Sequence, residues 1–225
     1  MTVDRRSVLK GIALGSLVPS MGSPLLALAG EAGVPTRSIT PPDRVLIGSG
    51  AAGAAFVQGA RAAIGAQLQV HRAGPDLGYL LDFERQLQHG QPMHVIGLLD
   101  DAVAVLVLDL ARSAGARTHW LGQHVVEAGL SCHRVLNTRV TESGVRQLSR
   151  ELHACGAGFV LTEERAASTR QLASPARSSE HSDQWAASIG YLLASSGTHR
   201  LTRAPSISAS STPLTGSFVS FSVEG

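Results

Sequence analysis

The segment RVLIGSGAAGAAFVQGARAAIG, residues 44–65, constrains the fold more than any other part of the chain. A short apolar run passes directly into a glycine-rich turn, and a long run of small residues without proline follows. This order predicts a strand at residues 44–49, a tight turn and then a helix. A strand that leads straight into a helix is typical of α/β folds, in which helices cover the faces of a sheet.

The alternation of strand and helix continues to residue 164. Further strands are predicted at residues 66–70, 93–99 and 117–121 and in HRVLNT and GFVLTEE. Helices are predicted between them, at residues 75–89 and in DDAVAVLVLDLARSAGA and ESGVRQLSRELHACGA. Because strands joined by helices usually pair in parallel through right-handed crossovers, we predict an α/β fold. Its expected form is a Rossmann-like three-layer sandwich with a mostly parallel sheet.

Composition divides the chain into four parts. Residues 1–29 form an N-terminal leader, and residues 30–43 are rich in Pro and Gly, which predicts a linker. Residues 44–164 are the predicted α/β core, and residues 165–225 a loop-rich C-terminal region. That region contains long Ser-, Thr-, Pro- and Arg-rich stretches and one helix in QWAASIGYLLASSG. It closes with a strand-like segment, SFVSFSV, which we expect at an edge of the sheet.

The leader opens with MTVDRRSVLK and closes on the small-x-small sequence ALA at residues 27–29. Arg5 and Arg6, the Leu-Lys pair after Val8 and the weakly apolar run together resemble a bacterial twin-arginine (Tat) signal peptide. The resemblance implies export of the folded protein by the Tat translocase, cleavage after about Ala29 and a periplasmic location. Prolines and glycines interrupt the apolar run, and a spanning helix needs about 20 apolar residues, so we expect no stable membrane anchor.

The mature chain is expected to be nearly neutral. The whole chain has 19 basic and 17 acidic residues, and the leader contains Arg5, Arg6, Lys10 and Asp4, so 16 residues of each sign remain after cleavage. Binding to nucleic acid needs a surplus of basic residues, so we do not expect a nucleic-acid partner. Lys10 is the only lysine of the chain, which excludes a P-loop or Schiff-base lysine in the mature protein.

Gly48, Gly50 and Gly53 satisfy G-x-G-x-x-G between a predicted strand and a predicted helix, with Ser49 inside the turn. Glycines at this spacing allow the turn, the approach of a pyrophosphate and close packing of helix on strand. Residues 44–64 therefore resemble the FAD and NAD(P) Rossmann fingerprint, and the resemblance implies a dinucleotide whose phosphates lie at the helix N-terminus.

The second predicted strand departs from that fingerprint. A dinucleotide site of this kind has an acidic residue about 20 residues beyond the turn, which binds the ribose hydroxyls. Here the strand ends in VHRAG, and His71 and Arg72 occupy that place. Arg72 is a candidate to bind the 2′-phosphate of NADP. The alternative is that the glycine turn is structural or binds a different anion.

Asp100 and Asp101 follow the third predicted strand, and Gln123 and His124 follow the fourth. Ligands of open α/β sheets gather at the carboxyl ends of strands, so these four residues are candidates to line a ligand cleft. The aspartates could bind a polar ligand or act as acid and base. The simpler interpretation, which we favour, is that they cap the next helix and compensate its dipole.

Two further sets of residues contain side chains that are common in chemical sites. The run His119, His124, Cys132 and His133 contains ligands that suit zinc or copper, but its spacing matches no trusted motif, so we expect no metal site and hydrogen-bonded histidines instead. Cys132 and Cys155 would meet an oxidising periplasm. They could form a disulfide or be two small buried side chains, and no activating base near them in the sequence points to a catalytic thiol.

Two functional hypotheses follow from these residues. The first is a non-catalytic exported protein, a ligand-binding or accessory subunit of an exported redox system, with another exported protein as its partner. The second is a small oxidoreductase that holds FAD or NADP at the Gly48–Gly53 turn. The missing ribose acid favours the first hypothesis, because an exported enzyme must retain its cofactor tightly.

Overall fold

The structure is a computed structural model that describes residues 41–48, 51–65, 68–74, 77–89, 92–127, 130–136, 142–165, 168–176, 183–196, 204–207 and 215–225. The predicted leader, most of the predicted linker, and Ser49 and Gly50 of the glycine turn lie outside these residues. The strands are β1 Arg44–Ile47, β2 Gln69–Arg72, β3 His94–Asp100, β4 Arg117–Glu127, β5 Leu130–Leu136, β6 Gly158–Arg165, β7 Ser168–Ser174 and β8 Gly216–Glu224. The helices are α1 Ala51–Ile64, α2 Leu77–His89, α3 Asp101–Ser113, α4 Glu142–Cys155 and α5 Gln184–Ser195.

These elements form an α/β fold around one mixed sheet, with the strand order β2-β1-β3-β8-β4-β5-β6-β7. The pairs β1/β2, β1/β3 and β5/β6 are parallel. The other four neighbouring pairs are antiparallel. The α/β class is confirmed, but the prediction of a mostly parallel sheet is wrong.

Two local features explain two of the four antiparallel pairs, β4/β5 and β6/β7. The fourth strand does not end near residue 121, as predicted, but continues to Glu127, which pairs with Leu130 at the start of β5. A hairpin therefore stands where the sequence analysis assumed a separate strand. The stretch 165–183, predicted as a loop, contains β7, which pairs antiparallel with β6.

The C-terminal strand occupies the middle of the sheet and not an edge. β8 pairs with β3 on one side and β4 on the other, antiparallel to both. All twelve residues of α5 are buried. Residues 38–225 form one compact unit, so the predicted boundary after residue 164 does not divide the fold.

The helices cover two faces of the sheet. On what we call the first face, α1, α4 and α5 bury Phe56, Leu148, Trp185 and their neighbours together with residues of β1, β3 and β6. On the second face, α2 and α3 bury Phe83 and Val107 against β1, β3 and β8. Of the helices in the described residues, none has the length and apolar character needed to cross a membrane.

Helices α1 and α5 cross in backbone contact. A Cβ atom added to Gly59 would lie 1.9 Å from the carbonyl oxygen of Ala187, and one added to Gly190 would lie 2.1 Å from that of Phe56. Real Cβ atoms do not approach backbone oxygens this closely. The two glycines therefore allow the helices to approach each other, and α5 depends on them for its buried position.

We expect Gly59→Ala to destabilise the fold by about 1–3 kcal/mol or more, because the helices must separate to admit the methyl group. Denaturant unfolding followed by circular dichroism measures this change. Gly74→Ala is the matched control, since a Cβ atom there has no neighbour within 4 Å. Equal stability of the two variants would contradict the close crossing.

Candidate functional site

The carboxyl ends of β1, β2 and β3 meet at one edge of the sheet. Gly48 follows β1 and donates its amide to the Leu98 carbonyl of β3 (3.0 Å), and Ala73 follows β2 and donates to the Ile47 carbonyl (2.9 Å). Four predicted site residues, Gly48, Arg72, Asp100 and Asp101, lie at this edge, which we call the carboxyl edge. It is where ligands bind in open α/β sheets.

Part of the glycine fingerprint has the packing that its sequence predicts. A Cβ atom on Gly53 would lie 3.0 Å from Cβ of Ile47 and 3.1 Å from the Gly48 carbonyl oxygen. Gly53 therefore lets α1 pack closely on β1, which is the role of the third glycine in G-x-G-x-x-G.

Asp100 occupies the N-cap position of α3, but its carboxylate makes no capping hydrogen bond. Asp100 therefore has the N-cap position that we predicted for one of the two aspartates, but its side chain does not make the predicted capping hydrogen bond. Its Oδ2 atom instead lies 3.1 Å from where a Cβ atom of Gly48 would be. Asp101 is in the first turn of α3, and both aspartates are exposed. The carboxyl edge therefore presents negative charge beside the glycine turn.

Gln123 and His124 lie within β4 and not in a loop beyond it. Gln123 is partly exposed, whereas His124 is fully buried in the core. In the strand register Phe218 of β8 stands between Asp100 and His124. The structure therefore brings Gly48 and Asp100 together but separates them from His124.

A cleft of about 640 Å³ lies at the opposite edge of the sheet. Its lining includes Asp43, Arg44, Gln69 and Met93, at or near the amino ends of the parallel strands. Arg44 is hydrogen-bonded to Gln86 of α2 there. Since ligands of open α/β sheets bind at the carboxyl ends of strands, we place the candidate site at the carboxyl edge and not in this cleft.

His124 belongs to a buried polar network that sequence analysis did not identify as a unit. Its Nδ1 atom lies 2.9 Å from Nδ1 of His133 across the β4–β5 hairpin. The outer nitrogens of the two rings contact Ser220 Oγ (2.7 Å) and Ser131 Oγ (2.9 Å), respectively. Trp185 of α5 packs against both imidazoles, with ring centroids 5.0 and 5.4 Å away.

The donor at one end of the network and the acceptor at the other fix the direction in which every hydrogen bond is donated. Trp120 Nε1 can only donate, and it donates to Ser220 Oγ (2.8 Å), while Ser131 Oγ donates to the Gly158 carbonyl (3.2 Å). Ser131 Oγ therefore accepts from Nε2–H of His133, which leaves Nδ1 of that ring as an acceptor. His124 then donates through Nδ1–H and accepts from the Ser220 hydroxyl at Nε2. When both imidazoles are neutral, each N–H and O–H group of the network therefore donates to the next group along it.

Burial keeps these imidazoles neutral. Loss of solvation lowers the pKa of His133 from 6.5 to about 3. Burial also lowers the pKa of His124 well below its ordinary value, and the charge that His133 would carry lowers it further. Both side chains are at least 99 % inaccessible to solvent, so the network holds the core together and is not a catalytic site.

The candidate soft-metal ligands do not converge on one site, although His124 and His133 contact each other. Cys132 is exposed, whereas His124 and His133 are buried in the core. His119 contacts Glu224, with Nε2 and Oε2 3.0 Å apart. Within the described residues, no group of three or more His, Cys, Asp or Glu side chains could hold a metal ion.

Cys132 and Cys155 are not joined by a disulfide. Cys132 is exposed on β5, and Cys155 donates a hydrogen bond to the Leu152 carbonyl at the end of α4. The structure therefore has neither the disulfide nor two buried side chains, because Cys132 is exposed and Cys155 is partly exposed.

We expect the free energy of unfolding to fall as the pH falls from about 6.5 towards 3. In this window the unfolded chain protonates His124 and His133, whereas the folded chain keeps both neutral, so the unfolded state binds more protons. The slope is up to about 1.4 kcal/mol per pH unit for each histidine. Denaturant titrations between pH 5 and 7 measure it.

The matched comparison is His133→Gln against His153→Gln, since His153 is an exposed histidine of α4. In His133→Gln the slope of the unfolding free energy against pH should fall by up to about 1.4 kcal/mol per pH unit, whatever the absolute stability of the variant. His153→Gln should keep the wild-type slope. An unchanged slope in His133→Gln would contradict a neutral buried pair.

Comparison with protein-family models, curated proteins and solved structures finds no match to this chain.

Proposed function

We propose that this chain is an exported, non-catalytic α/β protein that binds a ligand at the carboxyl edge, as an accessory subunit of an exported redox system. The observation that carries the proposal is the position of Asp100. Its carboxylate lies beside Gly48, makes no capping bond to α3 and is exposed. A carboxylate there repels the phosphates that a dinucleotide would bring to the glycine turn.

The remaining charges support the same proposal. Among the described candidates at this edge, Arg72 at the end of β2 is basic, whereas Asp100 and Asp101 are two acidic residues at the same edge. The chain has no lysine outside the leader to add positive charge. We therefore favour a ligand that is neutral or cationic and donates hydrogen bonds to Asp100.

The alternative is a small oxidoreductase with FAD or NADP at residues 48–53. The packing of Gly53 against Ile47 favours it, because the start of α1 is close enough to β1 for a Rossmann-like phosphate turn. Arg72 could then accept a 2′-phosphate. We rank this alternative second because Asp100 would face the pyrophosphate.

The export proposal is independent of the carboxyl edge. It rests on the paired arginines, the following Leu-Lys and the small-x-small site of the leader, which are typical of substrates of the Tat translocase. We infer that the mature protein is periplasmic and meets its exported partner there.

The absorbance spectrum of protein purified from the periplasm tests the non-catalytic proposal most directly. We expect no flavin band and no dinucleotide released on denaturation. A stoichiometric flavin or NADP would overturn the proposal in favour of the oxidoreductase.

Titration of the purified protein with FAD and NADP tests the role of Asp100. Asp100→Asn should bind either dinucleotide up to about tenfold more tightly than wild type at low ionic strength, because one repulsive charge is removed. Asp109→Asn is the control, since this exposed aspartate lies two turns further along α3 and pairs with Arg112. An equal effect of the two substitutions would show that Asp100 does not control anion binding.

Replacement of both Arg5 and Arg6 by lysine should block export. The charge of the leader is unchanged, so only recognition of the paired arginines is removed. Fractionation of cells that express each form measures the periplasmic share. Undiminished export of the lysine variant would refute the Tat assignment.

A further inference from the structure

Among the residues that the structure describes, helices cover only part of the width of the second face of the sheet. Helices α2 and α3 bury their apolar side chains against β1, β3 and β8. The side chains of β4 to β7 on this face are exposed or partly exposed, and we call this half the open face. Its residues are Gln123, Val125, Glu127, Leu130, Cys132, Arg134, Val160, Thr162, Glu164, Thr169, Gln171 and Ala173.

Apolar side chains form a central row across the open face. The strand register aligns Val125, Cys132, Val160 and Ala173 on four successive strands. Val125 is 39 % exposed, and Leu130, beside the row, is 43 % exposed. These side chains are small or β-branched, so a second sheet could pack on them at the usual distance of about 10 Å.

The charges of the open face suit a second copy of the same face. Arg134 makes two hydrogen bonds to the Glu164 carboxylate (2.7 and 2.8 Å), so the strongest charges are satisfied within the face and do not repel an identical one. Glu127 lies on the other side of the central row, next to Leu130 in the register. A two-fold axis along the row therefore brings Arg134 of one copy towards Glu127 of the other.

We propose that the open face is a homodimer interface, in which the central rows of two copies pack face to face around a two-fold axis near Cys132. The interface is isologous, so each residue of the row meets the same row in the second copy. Cys132 of one copy then lies opposite Cys132 of the other. This inference does not depend on the ligand at the carboxyl edge.

Light scattering of the mature exported protein at micromolar concentration tests the proposal. We expect the mass of a dimer, and Val125→Arg should halve it because two guanidinium groups would be buried in the row. Leu106→Arg is the matched control, since Leu106 is 47 % exposed on α3, and this variant should remain dimeric. Circular dichroism spectra identical to wild type show that Val125→Arg is folded.

Maleimide labelling gives a second readout that does not depend on mass. In Cys155→Ser, where Cys132 is the remaining cysteine of the chain, the thiol should resist a maleimide reagent in the dimer and react once Val125→Arg is added. A monomeric wild type overturns the proposal. If the thiol of Cys132 in that monomer resists a maleimide reagent, another segment of the chain covers the face; if it reacts, the face is open. A dimer whose Cys132 thiol reacts freely, or that survives Val125→Arg, also overturns it.

Discussion

A hydrogen bond between the Nδ1 atoms of His124 and His133 stands at the centre of the first face. It links the two strands of the β4–β5 hairpin, and Ser220 and Ser131 extend it to β8 and to the Gly158 carbonyl of β6. Four neighbouring strands are thus joined by side chains as well as by their backbones. Because each imidazole must donate once and accept once, the network exists only in the neutral form, and burial under Trp185 maintains that form.

This polar core and the candidate ligand site occupy different parts of the sheet. The carboxyl edge belongs to the parallel strands β1, β2 and β3, whereas the histidine network belongs to β4, β5 and β8, where β8 pairs antiparallel with β4. Helix α5 packs over the network on one side and crosses α1 through Gly59 and Gly190 on the other. The helix that follows the glycine turn is therefore held in place by the same helix that covers the histidines.

The sequence predicts the local elements well and the pairing of strands poorly. The strand, turn and helix around Gly48 follow from local periodicity, as does α3 in spite of its alternating valines. β8 could not be located in this way, because its partners are far away in the chain. We expected this strand-like segment at an edge of the sheet, yet Ser220 and Ser222 are buried where they bond to His124 and His94. Polar side chains that alternate along a strand face solvent only when no buried group can bond to them. Here the buried groups are histidines of other strands, which local sequence does not reveal.

The histidine network runs in one direction through two neutral imidazoles of opposite tautomeric form. Nitrogen chemical shifts of the histidine rings, measured by NMR on protein labelled with ¹⁵N-histidine, test it most directly. The account predicts that His124 carries its proton on Nδ1 and His133 on Nε2, and that both patterns persist from pH 7 to pH 5. A protonated ring in that range, or the same tautomer at both positions, would contradict it.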